Sequence, residues 1–115
     1  MKWSKRKFKL IACDVDGTLV PEGENDLDPR FFEIFHLTQK KGILFSFVSG
    51  RQYSDLTILA PELIQEIIYI AANGSVIIEK DKLMIEVPLT QPDPQQICHD
   101  ITQINGANYF VSTVK

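Results

Sequence analysis

The sequence predicts an α/β fold in which helices are wound across a parallel β-sheet. Three short apolar runs, at residues 8–13, 43–48 and 67–71, have the length and composition of buried strands. Helix-like segments separate these runs. The resulting order of strand, helix, strand, helix, strand is typical of a doubly wound sheet with right-handed crossovers. At 115 residues the chain has room for one domain with a sizeable core.

The first strand is expected to lead through a loop into a well-defined helix. The run at residues 8–13 lacks clean alternation, which indicates a strand covered on both faces, and a loop follows at residues 17–27. Asp28 and Pro29 predict the start of a helix, as N-cap and first-turn proline, and Gly42 predicts its end. The buried face of this helix is expected to contain Phe31, Ile34, Phe35 and Thr38.

Turn residues divide the rest of the chain. Residues 49–51 are predicted to turn into a helix at residues 52–60, and residues 73–74 end the third strand. Residues 75–79 and 83–87 then predict a β-hairpin. The remaining predicted elements are a helix that starts at Asp93 and Pro94, its apolar stripe of Ile97, Ile101 and Ile104, and a last strand at residues 109–114.

Composition argues for a soluble protein that binds neither nucleic acid nor membranes. The net charge is −3, 44% of residues are hydrophobic, and no apolar run approaches the ~20 residues of a membrane span. The N-terminus carries a basic arm, consisting of Lys2, Lys5, Arg6, Lys7 and Lys9. We interpret this arm as a solvated tail, with contact to RNA or an anionic surface as the alternative. Cys13 and Cys98 lack metal-type spacing, which indicates reduced thiols in a cytoplasmic protein.

Polar groups follow all three predicted parallel strands. These groups are Asp14 and Asp16 after the first strand, Ser49 and Gly50 after the second, and Asn73 after the third. Ligands bind outside the carboxyl ends of the strands in open α/β sheets, so we expect these groups to share one edge. Carboxylates bind a hard cation, and a hydroxyl beside free backbone amides binds phosphate oxygens. These residues are therefore suited to binding a phosphate ester together with Mg²⁺.

Three stretches resemble a known family of enzymes. The sequence DVDGTL at residues 14–19 is similar to the first motif of the haloacid dehalogenase (HAD) superfamily of phosphatases and phosphotransferases. FSFVSGR at residues 45–51 resembles its second motif, and AANGSVI at residues 71–77 resembles a stretch of the Cof-like branch. The resemblance implies a partial, Rossmann-like HAD core at residues 1–74, followed by the beginning of an α+β cap at residues 75–115.

The resemblance also implies a Mg²⁺-dependent phosphatase that acts on a small phosphorylated metabolite, such as a sugar phosphate. Asp14 is the implied nucleophile, which forms an aspartyl-phosphate, and Asp16 is the implied general acid and base. Asp14 and the backbone carbonyl of Asp16 are the implied Mg²⁺ ligands, while Ser49 and the Gly50 amide hold the transferred phosphoryl group. The implied supporting residues are Gly17 for a sharp turn, Thr18 for a hydrogen bond within the loop, and Arg51 and Asn73 for the phosphate site.

Purely structural interpretations of the same residues stay open at this point. Asp14 and Asp16 are also suited to capping a loop, and residues 49–50 to capping a helix. Residues 73–74 are also suited to a simple turn, and Arg51 to a solvated surface position. An EF-hand loop needs a glycine at position six and an acid at position twelve. Counting from Asp14, this chain has its glycine at position four and Asn25 at position twelve, so an EF-hand is excluded.

Two further motifs that the resemblance implies are absent from the sequence, a lysine after the cap and an acidic pair in a Gly-Asp context. The edge of the first strand, residues 8–13, is expected to be open, because the family's later strands would pair there. We therefore interpret the chain as the N-terminal part of a longer protein, and a homodimer is one way to cover the open edge. The alternative is a truncated, inactive remnant that binds metal or phosphate or serves as an interaction module.

Overall fold

The computed structural model describes residues 7–113 of the chain. It contains a five-stranded sheet in the order β1-β2-β3-β4-β5. The strands are β1 (Leu10–Asp14), β2 (Leu44–Val48), β3 (Ile67–Ala71), β4 (Val76–Glu79) and β5 (Lys82–Glu86). The helices are α1 (Pro29–Lys40), α2 (Tyr53–Thr57) and α3 (Pro94–Thr102), with short 3₁₀ turns at Pro61–Leu63 and Ala72–Gly74. Among these described helices, none has the length and apolar character needed to cross a membrane.

The strand pairing confirms the predicted α/β fold with a parallel sheet. β1 pairs with β2 and β2 with β3 in parallel, whereas β4 runs antiparallel to β3 and forms a hairpin with β5. β1 lies at the edge of the described sheet, where an open strand was expected. The hairpin continues this sheet past residue 74, and the division into a core (1–74) and a cap (75–115) stays a prediction.

Helix α1 begins and ends where the sequence predicts. The Asp28 carboxylate accepts a hydrogen bond of 2.9 Å from the backbone N–H of Arg30, and Pro29 occupies the first turn. Gly42 follows the helix with a φ of 68°, a backbone conformation that residues with a side chain rarely adopt. The chain can therefore reverse sharply into β2.

The buried stripe of α1 is narrower than predicted. Phe31, Phe35 and Thr38 are buried as expected, whereas Ile34 is 57% exposed. Steps of four and three residues keep the three buried side chains in one line, and residue 34 lies at the border of that line. The inclusion of Ile34 in the core was therefore wrong.

The described core lies on one face of the sheet. Phenylalanine rings of α1 and β2 pack at centroid distances of 5.5 to 5.9 Å, and Phe47 of β2 in turn packs against Tyr69 of β3 at 5.9 Å. Tyr53 of α2 completes this row of rings, 5.1 Å from Tyr69. Both crossovers advance in the same direction across the sheet, so right-handed connections place α1 and α2 on the same side.

The opposite face of the sheet is exposed at β1 and at the start of β2 among residues 7–113. Leu10 of β1 and Leu44 of β2 are partners in the strand register, and they are 47% and 49% exposed. The prediction that the first strand is buried on both faces is therefore wrong for the described chain. Apolar residues on both sides of β1 suit two covering layers, but α1 and α2 supply only one.

Four other predicted features differ from the structure or fall outside it. α2 ends at Thr57 rather than at residue 60, and the chain turns through Pro61–Leu63 before β3. Residues 109–113 of the predicted last strand pair with no neighbour, and strands need neighbours to be stable. Ile104 lies beyond the end of α3 and is 60% exposed, so the predicted isoleucine stripe is incomplete. Much of the basic arm belongs to residues 1–6, outside the described part.

Tyr69 carries a buried hydroxyl that has no hydrogen-bond partner in the described part of the chain. The hydroxyl has lost its contacts with water without gaining a protein partner. We expect Tyr69→Phe to raise the free energy of unfolding by about 1 kcal/mol, as measured by urea denaturation. Tyr53→Phe is the matched control, because the Tyr53 hydroxyl donates to Asp81 at 2.7 Å and its loss should lower stability. A destabilised Tyr69→Phe variant would contradict this account.

Burial also raises the pKa of Tyr69 to about 12. The unfolded chain, with a tyrosine pKa of about 10, loses this proton at a pH where the folded protein still keeps it. The folded protein therefore keeps its full stability below about pH 10 and loses stability as the pH rises toward about 12, because the unfolded chain ionises this tyrosine first. The Tyr69→Phe variant is expected to lose less stability in that pH window.

Candidate active site

The two aspartates lie on either side of a buried valine at the end of β1. Asp14 is the last residue of the strand, and Val15 is fully buried. Side chains alternate along an extended chain, so Asp14 and Asp16 project away from the core that holds Val15. The Thr18 hydroxyl donates a hydrogen bond of 3.1 Å to an oxygen of Asp14. Gly17, with a φ of 77°, makes the sharp turn that was predicted at this position.

The loop after β2 is held by the end of β3. The backbone N–H of Ser49 donates to Ile70 at 3.0 Å, and the carbonyl of Ser49 accepts from the backbone N–H of Asn73 at 3.1 Å. The carbonyl of Arg51 likewise accepts from Ala72 at 2.8 Å. The loop at residues 49–51 is therefore hydrogen-bonded to the end of β3 through both Ser49 and Arg51.

Two hydrogen-bond donors of this loop can contact a ligand. The Ser49 oxygen accepts from the backbone N–H of Arg51 at 3.0 Å, and the Ser49 hydroxyl also helps to lower the pKa of Asp16, so a ligand would compete with Asp16 for its proton. The backbone N–H of Gly50 has no partner among the described residues. A hydroxyl and an adjacent amide form a suitable pair of donors for phosphoryl oxygens.

The side chain of Asn73 lies close to Gly50, so a larger residue at position 50 would displace that side chain. A Cβ atom at Gly50 would lie 2.8 Å from the side-chain oxygen of Asn73, closer than real Cβ contacts. Asn73 itself has a φ of 56°, a conformation that asparagine tolerates better than most residues. The register places Asp14 opposite Val48, so the ends of β1, β2 and β3 meet at one edge as predicted.

Arg51 contacts Asp16 rather than projecting into solvent. Its Nε lies 3.0 and 3.2 Å from the two carboxylate oxygens of Asp16, and its Nη2 lies 2.6 Å from one of them. These hydrogen bonds hold the pKa of Asp16 below its ordinary value. The predicted surface alternative for Arg51 is wrong, because its side chain is only 15% exposed. The role of Arg51 in phosphate binding stays a prediction, because its guanidinium contacts the Asp16 carboxylate in this structure.

Two loop residues in contact with Arg51 were not predicted from the sequence. The side-chain oxygen of Asn25 accepts from Nη1 of Arg51 at 2.6 Å, and the carbonyl of Glu24 accepts from Nη2 at 2.7 Å. Neither residue belongs to a recognisable motif, and both lie more than twenty positions before Arg51 in the sequence. No local signal could have identified this contact.

The oxygen donors at the end of β1 suit part of a Mg²⁺ site. The described residues contain no group of three or more acidic, histidine or cysteine side chains that could hold a metal ion. Mg²⁺ often keeps several waters and binds through one or two carboxylates together with substrate phosphate. Asp14 supplies such a carboxylate and Asp16 a backbone carbonyl, whereas the Asp16 carboxylate is engaged by Arg51. The residues present therefore fit a metal shared with a phosphate ligand.

Comparison with known sequences gives the same family for most of the chain. A profile of the haloacid dehalogenase-like hydrolases matches residues 11–115. The chain is 30% identical over 107 residues to the 5-amino-6-(5-phospho-D-ribitylamino)uracil phosphatase YcsE of Bacillus subtilis, a match that covers 93% of this chain and 43% of that protein. It is 35% identical over 75 residues to the 5-amino-6-(5-phospho-D-ribitylamino)uracil phosphatase YbjI of Escherichia coli, a match that covers 65% of this chain and 28% of that protein. The chain thus spans less than half the length of these curated relatives.

Solved structures show the same relationship. The protein SMU.1108c from Streptococcus mutans UA159 superposes with a TM-score of 0.74 at 30% identity, over 84% of this chain and 36% of that chain. A haloacid dehalogenase-like hydrolase from B. subtilis superposes with a TM-score of 0.71 at 26% identity, over 84% and 34%. The motifs, the sheet and the matches agree, and the chain belongs to the haloacid dehalogenase-like hydrolases.

Proposed function

We propose that this chain carries the nucleophile and the phosphate-binding loop of a Mg²⁺-dependent phosphohydrolase. One observation carries the proposal. Two carboxylates at the end of β1 lie beside a loop whose donors are the Ser49 hydroxyl and the Gly50 amide. This set combines a nucleophile, a proton donor and a cradle for phosphoryl oxygens.

The proposed reaction proceeds through an aspartyl-phosphate. An oxygen of Asp14 attacks phosphorus, a new P–O bond forms, and the bond to the leaving alcohol breaks as Asp16 gives that alcohol a proton. The pair with Arg51 favours the ionised form of Asp16, so the protonated form that acts here is the minor one. Asp16 then takes a proton from water, whose oxygen attacks phosphorus and releases inorganic phosphate and free Asp14. Ser49 and Gly50 hold the phosphoryl oxygens in both steps. Asp14 and the Asp16 carbonyl would hold Mg²⁺, which would neutralise charge between the carboxylate and the ester.

The proposed substrate is a small phosphorylated metabolite, such as a sugar phosphate. Two curated relatives are phosphatases of 5-amino-6-(5-phospho-D-ribitylamino)uracil, and a third is a phosphoglycolate phosphatase from Saccharolobus solfataricus, 38% identical over 78 residues. These compounds share a phosphate ester on a small polar skeleton. The free thiols of Cys13 and Cys98 favour a cytoplasmic location, and the open edge of β1 favours a homodimer.

A second candidate function is metal or phosphate binding, or a role as an interaction module, without turnover. It is favoured by the lack of a third metal-binding side chain among the described residues and by the exposed sheet face at β1 and the start of β2. A protein of this kind would keep the Ser49–Gly50 donors and bind phosphate without hydrolysing an ester.

Hydrolysis of p-nitrophenyl phosphate separates the two functions. The enzyme is supported by turnover that requires Mg²⁺ and disappears with EDTA. Activity no higher than the buffer blank would exclude catalysis by this chain. Thermal melting with Mg²⁺ and BeF₃⁻, which mimics a phosphoryl group on aspartate, then tests binding alone. A melting temperature that BeF₃⁻ leaves unchanged would exclude the second function as a phosphate-binding module.

A further inference from the structure

Arg51 connects the end of β2 to a loop that begins at Asp16. We call residues 16–25 the acid loop. Arg51 contacts this loop at both of its ends, through the Asp16 carboxylate at one end and through the carbonyl of Glu24 and the side chain of Asn25 at the other. Its side chain is 15% exposed and that of Asp16 is 31% exposed, so the central ion pair is partly shielded from water.

The far end of the acid loop has no other described polar anchor. Glu24 and Asn25 are exposed, and the backbone N–H of Glu24 donates within the loop, to Pro21. Gly23 donates weakly to Asp16 at 3.5 Å, which is again a contact inside the loop. In the described chain, every hydrogen bond between residues 21–25 and residues outside the acid loop therefore runs through Arg51.

We propose that Arg51 is a positioning residue, which orients the Asp16 carboxylate and holds the acid loop against the end of β2. This inference rests on the proposed function only for the role of Asp16 as acid and base. Arginine is suited to the task because its planar group presents donors in several fixed directions. A lysine would supply the charge and three N–H donors from one nitrogen, but not the planar fork that contacts Asp16 through Nε and Nη2 and Asn25 through Nη1.

Backbone and side-chain NMR of this chain tests the proposal without any need for turnover. In Arg51→Gln and Arg51→Lys we expect the amide order parameters of Gly23 and Asn25 to fall from about 0.85 to below about 0.6. Three-bond couplings of Asp16 should change from those of one rotamer to an average over several. Asn25→Ala is a milder variant that removes one contact, and it should loosen residue 25 while Asp16 keeps its rotamer.

Arg30→Gln is the matched control. Arg30 also pairs with an aspartate, Asp28, at 2.6 Å, but this pair is local, and the arginine side chain is 81% exposed. Its loss should leave the acid loop rigid. A rigid loop and a single Asp16 rotamer in Arg51→Lys would overturn the proposal.

Binding of inorganic phosphate distinguishes positioning from direct phosphate contact. Weaker phosphate binding by Arg51→Gln, with an unchanged acid loop, would assign Arg51 to the ligand and overturn the proposal. Failure of the wild-type chain to hydrolyse p-nitrophenyl phosphate would count against the proposed enzyme. It would not alter the NMR result, so the two ideas fail separately.

Discussion

Replacing Asp14 with asparagine is expected to lower kcat for p-nitrophenyl phosphate by at least about a thousandfold. The amide oxygen of asparagine is neutral and a poor nucleophile, so the covalent step is lost while the size of the side chain is kept. The fold should be unaffected, because the Asp14 side chain is exposed and its described hydrogen bond is to Thr18 alone. Initial rates under saturating Mg²⁺ and the circular dichroism spectrum measure the two effects.

Asp26→Asn is the control for this change. Asp26 is an exposed acid of the same loop region and has no proposed role in the site, so its variant should retain wild-type rates. Asp14→Asn with a rate near that of Asp26→Asn would rule out Asp14 as the nucleophile. It would leave general acid–base hydrolysis by Asp16 as the alternative to test.

Truncation of Phe47 is expected to have the largest effect on stability. Phe47 is fully buried on β2 and packs against Phe31, Phe45 and Tyr69, which belong to three different elements. Phe47→Ala should lower the free energy of unfolding by about 3–5 kcal/mol, through lost burial and the cavity left behind. That is a large part of the 5–15 kcal/mol (order of magnitude) that stabilises a typical domain. Urea denaturation measures the change.

The same substitution at Phe110 provides the comparison. Phe110 is 79% exposed, so Phe110→Ala removes as many atoms with little loss of buried surface, and we expect a change within about 0.5 kcal/mol. Equal effects of the two truncations would show that the ring cluster around Phe47 is not the stabilising core.

Local signals predicted the elements that depend on local chemistry. Asp28 and Pro29 begin α1 because a cap and a fixed φ act within a few residues of each other. The burial of β1 could not be predicted in the same way, because it depends on which layers are available to cover Leu10 and Leu44. The apolar composition of a strand shows that the strand is suited to burial. The tertiary packing decides whether another layer covers it.

The candidate site shows the same limit. Asp14, Asp16 and Ser49 were located from motifs at strand ends, since parallel strands bring their carboxyl ends to one edge. The contact of Arg51 with Asn25 depends on the path of a long irregular loop, which no spacing rule describes. Gly50 was identified as part of a phosphate loop, but its close approach to Asn73 became evident only from the packing.

The edge position of β1 has a consequence for protein synthesis. β1 is the first strand of the sheet to leave the ribosome, and its only described neighbour, β2, begins some thirty residues later. Because translation adds about 5–20 residues per second, the backbone of β1 stays unpaired, with Leu10 exposed, for seconds before β2 is made. Exposed apolar surface and unpaired backbone of this kind favour aggregation, so we expect the yield of folded protein to depend on the speed of translation as well as on final stability.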